Sequence, residues 1–259
     1  MKKRTLYTCR GLTLFCAAAL VMVAAGASFA TTVPEQPEID VVWSQSDGIR
    51  PEIFYTSRTE GSWSEPLMVT DDYYDNMHPV IDQDSRGTRW LFFTAYDNQR
   101  TEIRYTTGSA GVWEKSKPLS SEMKANSGPS VIIDGSDAVW VVWSAGDGGP
   151  DDIYFAVNKD GAWSGPQLLH EANDTPDTLP VISLNDRQQP AVSWQQLQES
   201  EYVVLTSAYD GSQWSEPVVV PAVDEQENEN SGADMIVLPD FINHGGMIFI
   251  RAFQDEIKK

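Results

Sequence analysis

The chain has 259 residues, of which 41% are hydrophobic, and its formal net charge at pH 7 is −20. A chain of this length can bury a core without the help of disulfide bonds. Its acidic surface repels nucleic acids and anionic lipids, so we expect no nucleic-acid partner and favour neutral or cationic ligands.

Residues 1–30 have the features of a secretory signal peptide. Four basic residues precede an apolar run over 12–25, and Ser28 and Ala30 are small residues at the two positions that a signal peptidase reads. An uncleaved anchor is the alternative, but the apolar run is short for a membrane span. We predict cleavage near Ala30, export to the periplasm or the cell exterior, and no stable membrane insertion afterwards.

Both cysteines of the chain, Cys9 and Cys16, lie in this predicted leader. The mature chain therefore has no thiol for a disulfide framework or a thiolate metal site. Loss of the four basic leader residues also lowers the net charge from −20 to −24. A linker at 31–38 and a tail at 255–259 are predicted to flank the folded part.

A tryptophan recurs along the chain at a nearly constant interval. The four residues are Trp63, Trp113, Trp163 and Trp214, at steps of 50, 50 and 51, and each opens a phrase similar to Trp-Ser-Glu-Pro. A fixed period of this length indicates one supersecondary unit copied several times. A tryptophan at the same position of every unit predicts a structural, packing role rather than ligand stacking.

Each unit shows the patterns of four short strands. The first strand follows a proline at 79, 129 or 180, and the second and third strands are rich in β-branched and aromatic residues, as at 140–143 and 153–155. The fourth begins at the repeated tryptophan. These runs are bounded by turn residues, and no long helical period is present. Repeated units of four strands are typical of β-propeller blades.

The predicted number of blades depends on partial units at the two ends of the chain. The unit at 39–70 has no first strand, and the last unit supplies only a first strand at 235–238 and a second at 247–250. Strands from both ends are expected to share a blade, which would leave no open sheet edge. We predict an all-β propeller over 39–254 with about five four-stranded blades and an incomplete closing blade. An open or truncated propeller is the alternative.

Residues 207–214 read Ser-Ala-Tyr-Asp-Gly-Ser-Gln-Trp, and shorter versions of this turn occur at 60–63 and 159–163. These turns resemble the BNR, or Asp-box, repeats of sialidase-like propellers; at 207–214 the aspartate is shifted by one position, and the other two turns are more degenerate. The resemblance covers about 39–254. It implies the sialidase-like propeller fold, but a fold alone does not imply an activity.

Charged residues also recur in the loops between second and third strands. They are Asp47, Asp97 and Asp147, with Arg50 and Arg100 beside the first two. In a propeller these loops share one face with the connections between units. One connection brings Tyr73, Tyr74 and His78 to that face, and these eight residues are the candidate ligand-binding set. A solvated rim of turn-forming residues is the alternative interpretation.

The resemblance to sialidases implies three arginines, a tyrosine nucleophile with a glutamate, and an acid/base aspartate. Only Arg50 and Arg100 are placed on the expected face, and an acidic face disfavours an anionic sugar. We therefore assign no catalytic residue. Hydrolysis of a neutral or cationic sugar would need a pair of carboxylates, taken from Asp47, Asp97, Asp147 or Asp75.

No cofactor and no metal ligand are assigned. Oxygen ligands for calcium are available over 147–152, but their spacing matches no defined calcium loop. The sequence thus predicts an exported, non-catalytic sialidase-like propeller that binds a glycan or a protein through its acidic loop face. A glycoside hydrolase is the first alternative. The second is an assembly module that forms oligomers through unclosed edge strands.

Overall fold

The computed structural model describes residues 38–119, 123–198, 200–221 and 248–253, and these residues form four antiparallel sheets. Sheet 1 contains β1 (Glu38–Ser46), β2 (Pro51–Thr59), β3 (Ser62–Trp63) and β4 (Leu67–Met68). Sheet 2 contains β5 (Asp75–Gln83), β6 (Arg89–Tyr96), β7 (Thr101–Ser109), β8 (Val112–Trp113) and β9 (Lys117–Pro118).

Sheet 3 contains β10 (Ala125–Ile133), β11 (Val139–Gly146), β12 (Asp152–Lys159), β13 (Ala162–Trp163) and β14 (Gln167–Leu168). Sheet 4 contains β15 (Asp177–Leu184), β16 (Pro190–Gln198), β17 (Glu201–Ala208) and β18 (Val218–Val219), and β19 (Ile248–Phe253) joins sheet 1. Within these ranges no helix is long and apolar enough to span a membrane.

The predicted four-strand unit is present, with a change in its fourth strand. In sheets 1 to 3 this strand is split into two pieces of two residues each, both paired with the third strand of the same sheet. In sheet 4, an isolated bridge between Tyr209 and Trp214 takes the place of the first piece. The predicted tryptophan turns therefore lie at the outer edge of each sheet.

The first strands of sheets 2 to 4 begin before the prolines that were predicted to lead them. The pairing register shifts at each proline, between Met77 and Val80 in β5 and at the equivalent positions of β10 and β15. Because proline has no N–H to donate, it is found in sheets at such bulges. The residue before each proline has a positive φ, at 52° for His78, 62° for Gly128 and 54° for Leu179. We call these three residues the bulge row.

Three apolar clusters lie between consecutive sheets. The first cluster includes Ile53 of sheet 1 and Phe93 of sheet 2. The second includes Phe92 of sheet 2 and Trp143 of sheet 3, and the third includes Val142 of sheet 3 and Trp194 of sheet 4. Sheets 2 and 3 thus bury one face against the preceding sheet and the other face against the following sheet. The result is a propeller-like all-β fold.

The repeated tryptophans lie in these spaces. The ring of Trp113 is 5.2 Å from the ring of Tyr55 in the preceding sheet, at an angle of 73°. Trp163 makes the equivalent edge contact with Tyr105, and Trp214 with Phe155, at 5.3 Å and 5.5 Å. Edge-to-face packing of this kind is a favoured arrangement of aromatic rings. Trp63 pairs with Arg58 at the edge of sheet 1.

The two ends of the described chain meet in sheet 1. β19 pairs antiparallel with β1 from Glu38↔Phe253 to Trp43↔Ile248. The expected sharing of a sheet by both ends is therefore present, and β1 is not an open edge. Residues 248–250, predicted as the second strand of a last unit, are instead part of the first strand of sheet 1, because their hydrogen bonds go to β1.

Other predicted segments lie outside the described residues. These are the leader at 1–30, the linker at 31–37, the strand at 235–238 and the tail at 255–259. Four sheets are described, and the count of five depends on 235–238, so five blades stays a prediction.

The outer face of sheet 4 differs from the equivalent faces of sheets 1 to 3. Ile53, Ile103 and Ile153 are replaced by Val204, and the aromatic residue two positions later is replaced by Thr206. The side chain of Val204 is 40% exposed. Among the described residues no sheet packs extensively on this face. Smaller and more polar residues are typical of the capping unit of a repeat array.

Candidate ligand-binding face

Asp47 and Asp97 lie in the turns that join second and third strands. The Oδ1 atom of Asp47 accepts the backbone N–H groups of the residues two and three positions later, at 2.7 and 2.9 Å, and Asp97 does the same at 2.9 Å. These backbone bonds lower the pKa of both carboxyl groups. Both residues therefore form turns as ionised carboxylates, which makes them poor proton donors.

The other charged candidates make local ion pairs. Asp147 has a side chain that is 57% exposed and lies 3.3 Å from the Nζ atom of Lys124. Arg100 lies 3.8 Å from Asp97 and 3.9 Å from Glu102. The three aspartates lie in turns of three different sheets, at Asp47, Asp97 and Asp147. Arg50 donates its backbone N–H to the carboxylate of Asp47.

A second acidic series follows the same 50-residue step and was missed by sequence reasoning. It contains Glu52, Glu102 and Asp152. Glu52 is 1% exposed and Glu102 is 4% exposed. The recurrence at a fixed step was available in the sequence, but nothing there distinguishes a buried carboxylate from an exposed one.

These acids hold the connections between sheets. The carboxylate of Glu52 accepts bonds from the hydroxyl of Thr70 and from the amide of Asn76, the latter at 2.9 Å. Asp152 accepts the backbone N–H of Asn173 at 3.3 Å. Burial raises the pKa of the Glu52 and Asp152 carboxyl groups, and it also raises the pKa of Asp151.

Tyr73 and Tyr74 form a stacked pair on the connection from sheet 1 to sheet 2. Their ring centroids are 4.3 Å apart, and their hydroxyl groups are hydrogen-bonded to each other at 2.9 Å. This bond, together with burial, raises the pKa of Tyr74 to about 12. Tyr73 is 66% exposed, so one ring of the pair faces solvent.

Arg104 packs against Tyr74 in this pair. Its guanidinium group lies 4.7 Å from the ring centroid of Tyr74, which is a cation–π distance. The same group bonds to the carboxylate of Glu102 at 2.5 Å and to the carbonyl of Ser116 at 3.0 Å. We call Tyr73, Tyr74, Arg104 and Glu102 the tyrosine platform.

His78 differs from the other candidates, because it lies in the bulge row of β5. Its Nδ1 atom is buried and has no hydrogen-bond partner among the described residues. Burial lowers the pKa of its imidazole, which is therefore neutral at pH 7.

His170 forms a second polar cluster between sheets 3 and 4, which sequence reasoning also missed. Its Nε2 atom lies 3.0 Å from Oδ2 of Asp177, and its ring stacks on Trp194 at 5.2 Å. Asp177 is fully buried and also accepts a bond from Gln196 at 2.8 Å. The bond to Asp177 raises the pKa of His170.

We expect this pair to make stability depend on pH. Because the folded pKa of His170 is raised, its contribution is complete below the unfolded pKa of about 6.5 and is lost as pH rises through the folded pKa. Urea unfolding of the parent and of His170→Gln, from pH 6 to pH 9, should show a difference that shrinks by about 1 kcal/mol, allowing for partial exposure of the ring. Parallel curves would contradict this assignment.

The described residues contain no group of three His, Cys, Asp or Glu side chains that could hold a metal ion. The candidate calcium ligands at 147–152 therefore form no such group in the described part of the chain. No family model and no curated protein matches the chain. The resemblance to sialidase-like repeats therefore stays a prediction.

Solved structures resemble the fold at low sequence identity. A protein of unknown function from Dyadobacter fermentans DSM 18053 has a TM-score of 0.51 and 13% identity, over 69% of this chain and 55% of that chain. A thermostable family-43 glycoside hydrolase has a TM-score of 0.49 and 14% identity, over 74% and 75%. An endo-arabinase from Bacteroides thetaiotaomicron VPI-5482 has a TM-score of 0.46 and 14% identity, over 74% and 73%.

These similarities concern the fold of the chain. The chain spans just over half of the Dyadobacter protein, and 13% identity shows a shared fold alone. The class that the structure defines is thus a propeller-like all-β protein. Its function has to be inferred from its own side chains.

Proposed function

We propose that the protein is an exported, non-catalytic, sialidase-like propeller that binds a neutral glycan on its tyrosine platform. The observation that carries this proposal is the stacked pair of Tyr73 and Tyr74, in which Tyr73 is 66% exposed to solvent. An exposed aromatic ring offers an apolar surface to the C–H face of a sugar, and its hydroxyl offers a hydrogen bond. The acidic surroundings disfavour an anionic sugar.

The platform is ordered before any ligand arrives. Arg104 is fixed by Glu102 and Ser116, and it lies against the ring of Tyr74, which in turn stacks on Tyr73. Binding therefore costs little side-chain entropy, because these side chains are already ordered in the free protein.

The absence of catalysis is supported by the turn carboxylates. Asp47 and Asp97, two of the four carboxylates from which the sequence offered a pair, have lowered pKa values and bond to their own turns. A glycosidase needs one carboxyl group that keeps its proton near neutral pH.

Hydrolysis of a neutral sugar is a second candidate, favoured by Asp151 and Asp152. Burial raises the pKa of both neighbouring carboxyl groups, as a general acid requires. Assays with neutral aryl glycosides separate the two functions. Turnover that Asp151→Asn or Asp152→Asn abolishes would establish the hydrolase, whereas binding without turnover supports the first proposal.

Tyr73→Ala is expected to weaken glycan binding about tenfold or more, because it removes the exposed ring while the fold keeps Tyr74. The purified protein is first screened against neutral, acidic and amino-sugar oligosaccharides, and affinities for the tightest neutral one are then measured by calorimetry. Tyr202→Ala is the matched control, because Tyr202 is also 69% exposed but lies at the start of β17 in sheet 4. Equal losses in both variants, or no binder in the panel, would refute the proposal.

A further inference from the structure

The bulge row places one residue at the same position of three consecutive first strands. His78, Gly128 and Leu179 precede the prolines of β5, β10 and β15 at steps of 50 and 51, and all three have positive φ. β10 contacts both β5 and β15, so Gly128 lies on the strand between the other two. The topology therefore sets these residues side by side on the inner strands.

Two members of the row are in an unfavourable backbone conformation. Glycine adopts a φ of 62° without strain, but a φ of 54° is an outlier for a residue as bulky as leucine. Sheet 3 has glycine at this position, so the bulge itself does not require a side chain there. Strain of this kind is found where a side chain is needed at that position for function. Histidine and leucine at the other two positions therefore call for a further reason.

The surroundings of the row fit a ligand. The apolar side chain of Leu179 is 64% exposed, so it does not contribute to the core. His78 is partly exposed, and the buried Nδ1 atom of its imidazole has no hydrogen-bond partner in the described part of the chain. A Cβ atom on Gly128 would meet no described atom within 4 Å, apart from its neighbours in sequence. The middle strand of the row therefore has open space beside its backbone, and the two flanking strands carry Leu179 and His78 at the equivalent position.

We propose that the bulge row is a second subsite, which takes a neutral, hydroxyl-bearing ring such as the end residue of a glycan. The imidazole of His78 hydrogen-bonds a hydroxyl group, Leu179 packs against the C–H face, and the ring occupies the space at Gly128. A neutral imidazole suits this role, because it can donate or accept. The nature of the ligand rests on the proposed function, whereas the position of the subsite rests on the bulge row.

Replacement by glycine separates a ligand contact from a structural role. Leu179→Gly and His78→Gly relieve the positive φ, so their melting temperatures should stay within about 2 °C of the parent. Each should nevertheless weaken binding of the tightest neutral oligosaccharide of the panel about tenfold. Gly128→Asn, which tolerates a positive φ and fills the space, should weaken it similarly.

Glu60→Gly and Asp160→Gly are the matched controls. These residues have φ values of 50° and 52° but lie in the turns before Trp63 and Trp163, at the opposite end of the strands. They should bind like the parent. If Tyr73→Ala weakens binding but the three bulge-row variants do not, the subsite is refuted and the platform stands. If no oligosaccharide binds, both proposals fall.

Discussion

Arg89→Met is expected to lower the free energy of unfolding by about 3–5 kcal/mol, because it leaves a buried carboxylate without its partner. Arg89 lies in β6 of sheet 2, and its Nε atom is 2.6 Å from Oδ2 of Asp40 in β1. Asp40 is fully buried, and its other oxygen accepts the hydroxyl of Tyr55 at 2.7 Å. The pair therefore connects two sheets through a fully buried carboxylate.

The loss of stability caused by Arg89→Met should increase as pH rises. Burial raises the pKa of Asp40, and the hydrogen bond and charge of Arg89 oppose this rise. Without Arg89 the folded pKa moves further above the unfolded value of about 3.9, so the folded state holds the proton more tightly. Stability is then lost as pH rises from the unfolded to the folded pKa. Urea unfolding at pH 5 and pH 8 should show the larger deficit at pH 8.

Arg86→Met is the matched control for this prediction. Arg86 has a side chain that is 72% exposed and pairs with Asp84 at 2.9 Å in the turn before β6. The guanidinium is exposed, and the buried Asp84 keeps the backbone N–H groups of Arg86 and Thr88 as donors, so the free energy of unfolding should change little. Asp40→Asn added to Arg89→Met should recover part of the loss. Similar effects of the two arginine substitutions would contradict the assignment.

Gly108→Ala should be the next most harmful change, at about 1–3 kcal/mol, because it overpacks a filled site. A Cβ atom on Gly108 would lie 2.6 Å from the Cδ2 and Cε3 atoms of Trp113. The indole cannot move freely toward sheet 1, since it already packs against the ring of Tyr55 at 5.2 Å.

Thermal unfolding followed by tryptophan fluorescence tests this prediction. Gly135→Ala is the control, because a Cβ atom there meets no described atom within 4 Å beyond its neighbours in sequence. It should unfold close to the parent temperature. If Gly108→Ala unfolds at that temperature as well, the tryptophan does not fill the site.

Much of the fold follows from local sequence patterns. The steps between Trp113, Trp163 and Trp214 identify three sheets, because a side chain that packs against the preceding sheet recurs wherever the unit recurs. The strands at 140–143 and 153–155 were found because β-branched and aromatic residues form a buried face. The bulges were not found, since a proline shows that pairing is disturbed but not where the strand begins.

The site was predicted less well, for a different physical reason. Asp47 and Glu52 both recur at steps of 50, and only burial separates a solvated turn residue from a buried anchor. Burial depends on how neighbouring sheets pack, which a single sequence does not state. The pair of His170 and Asp177 has no equivalent in the other units, so no periodic signal marked it. Tyr73 and Tyr74 were identified because they are the ligand-like side chains of a connection that the repeat places on the acidic loop face.

The pairing of β1 with β19 has a consequence for how the chain acquires its structure. Sheets 2, 3 and 4 are each built from a continuous stretch, so each can form from contacts between residues close in sequence. Sheet 1 needs two segments at opposite ends of the described chain, and encounters of such distant segments are slow. Until residues 248–253 arrive, β1 keeps an unpaired edge that other chains can join. We therefore expect completion of sheet 1 to be the slowest step of folding and the step most exposed to aggregation.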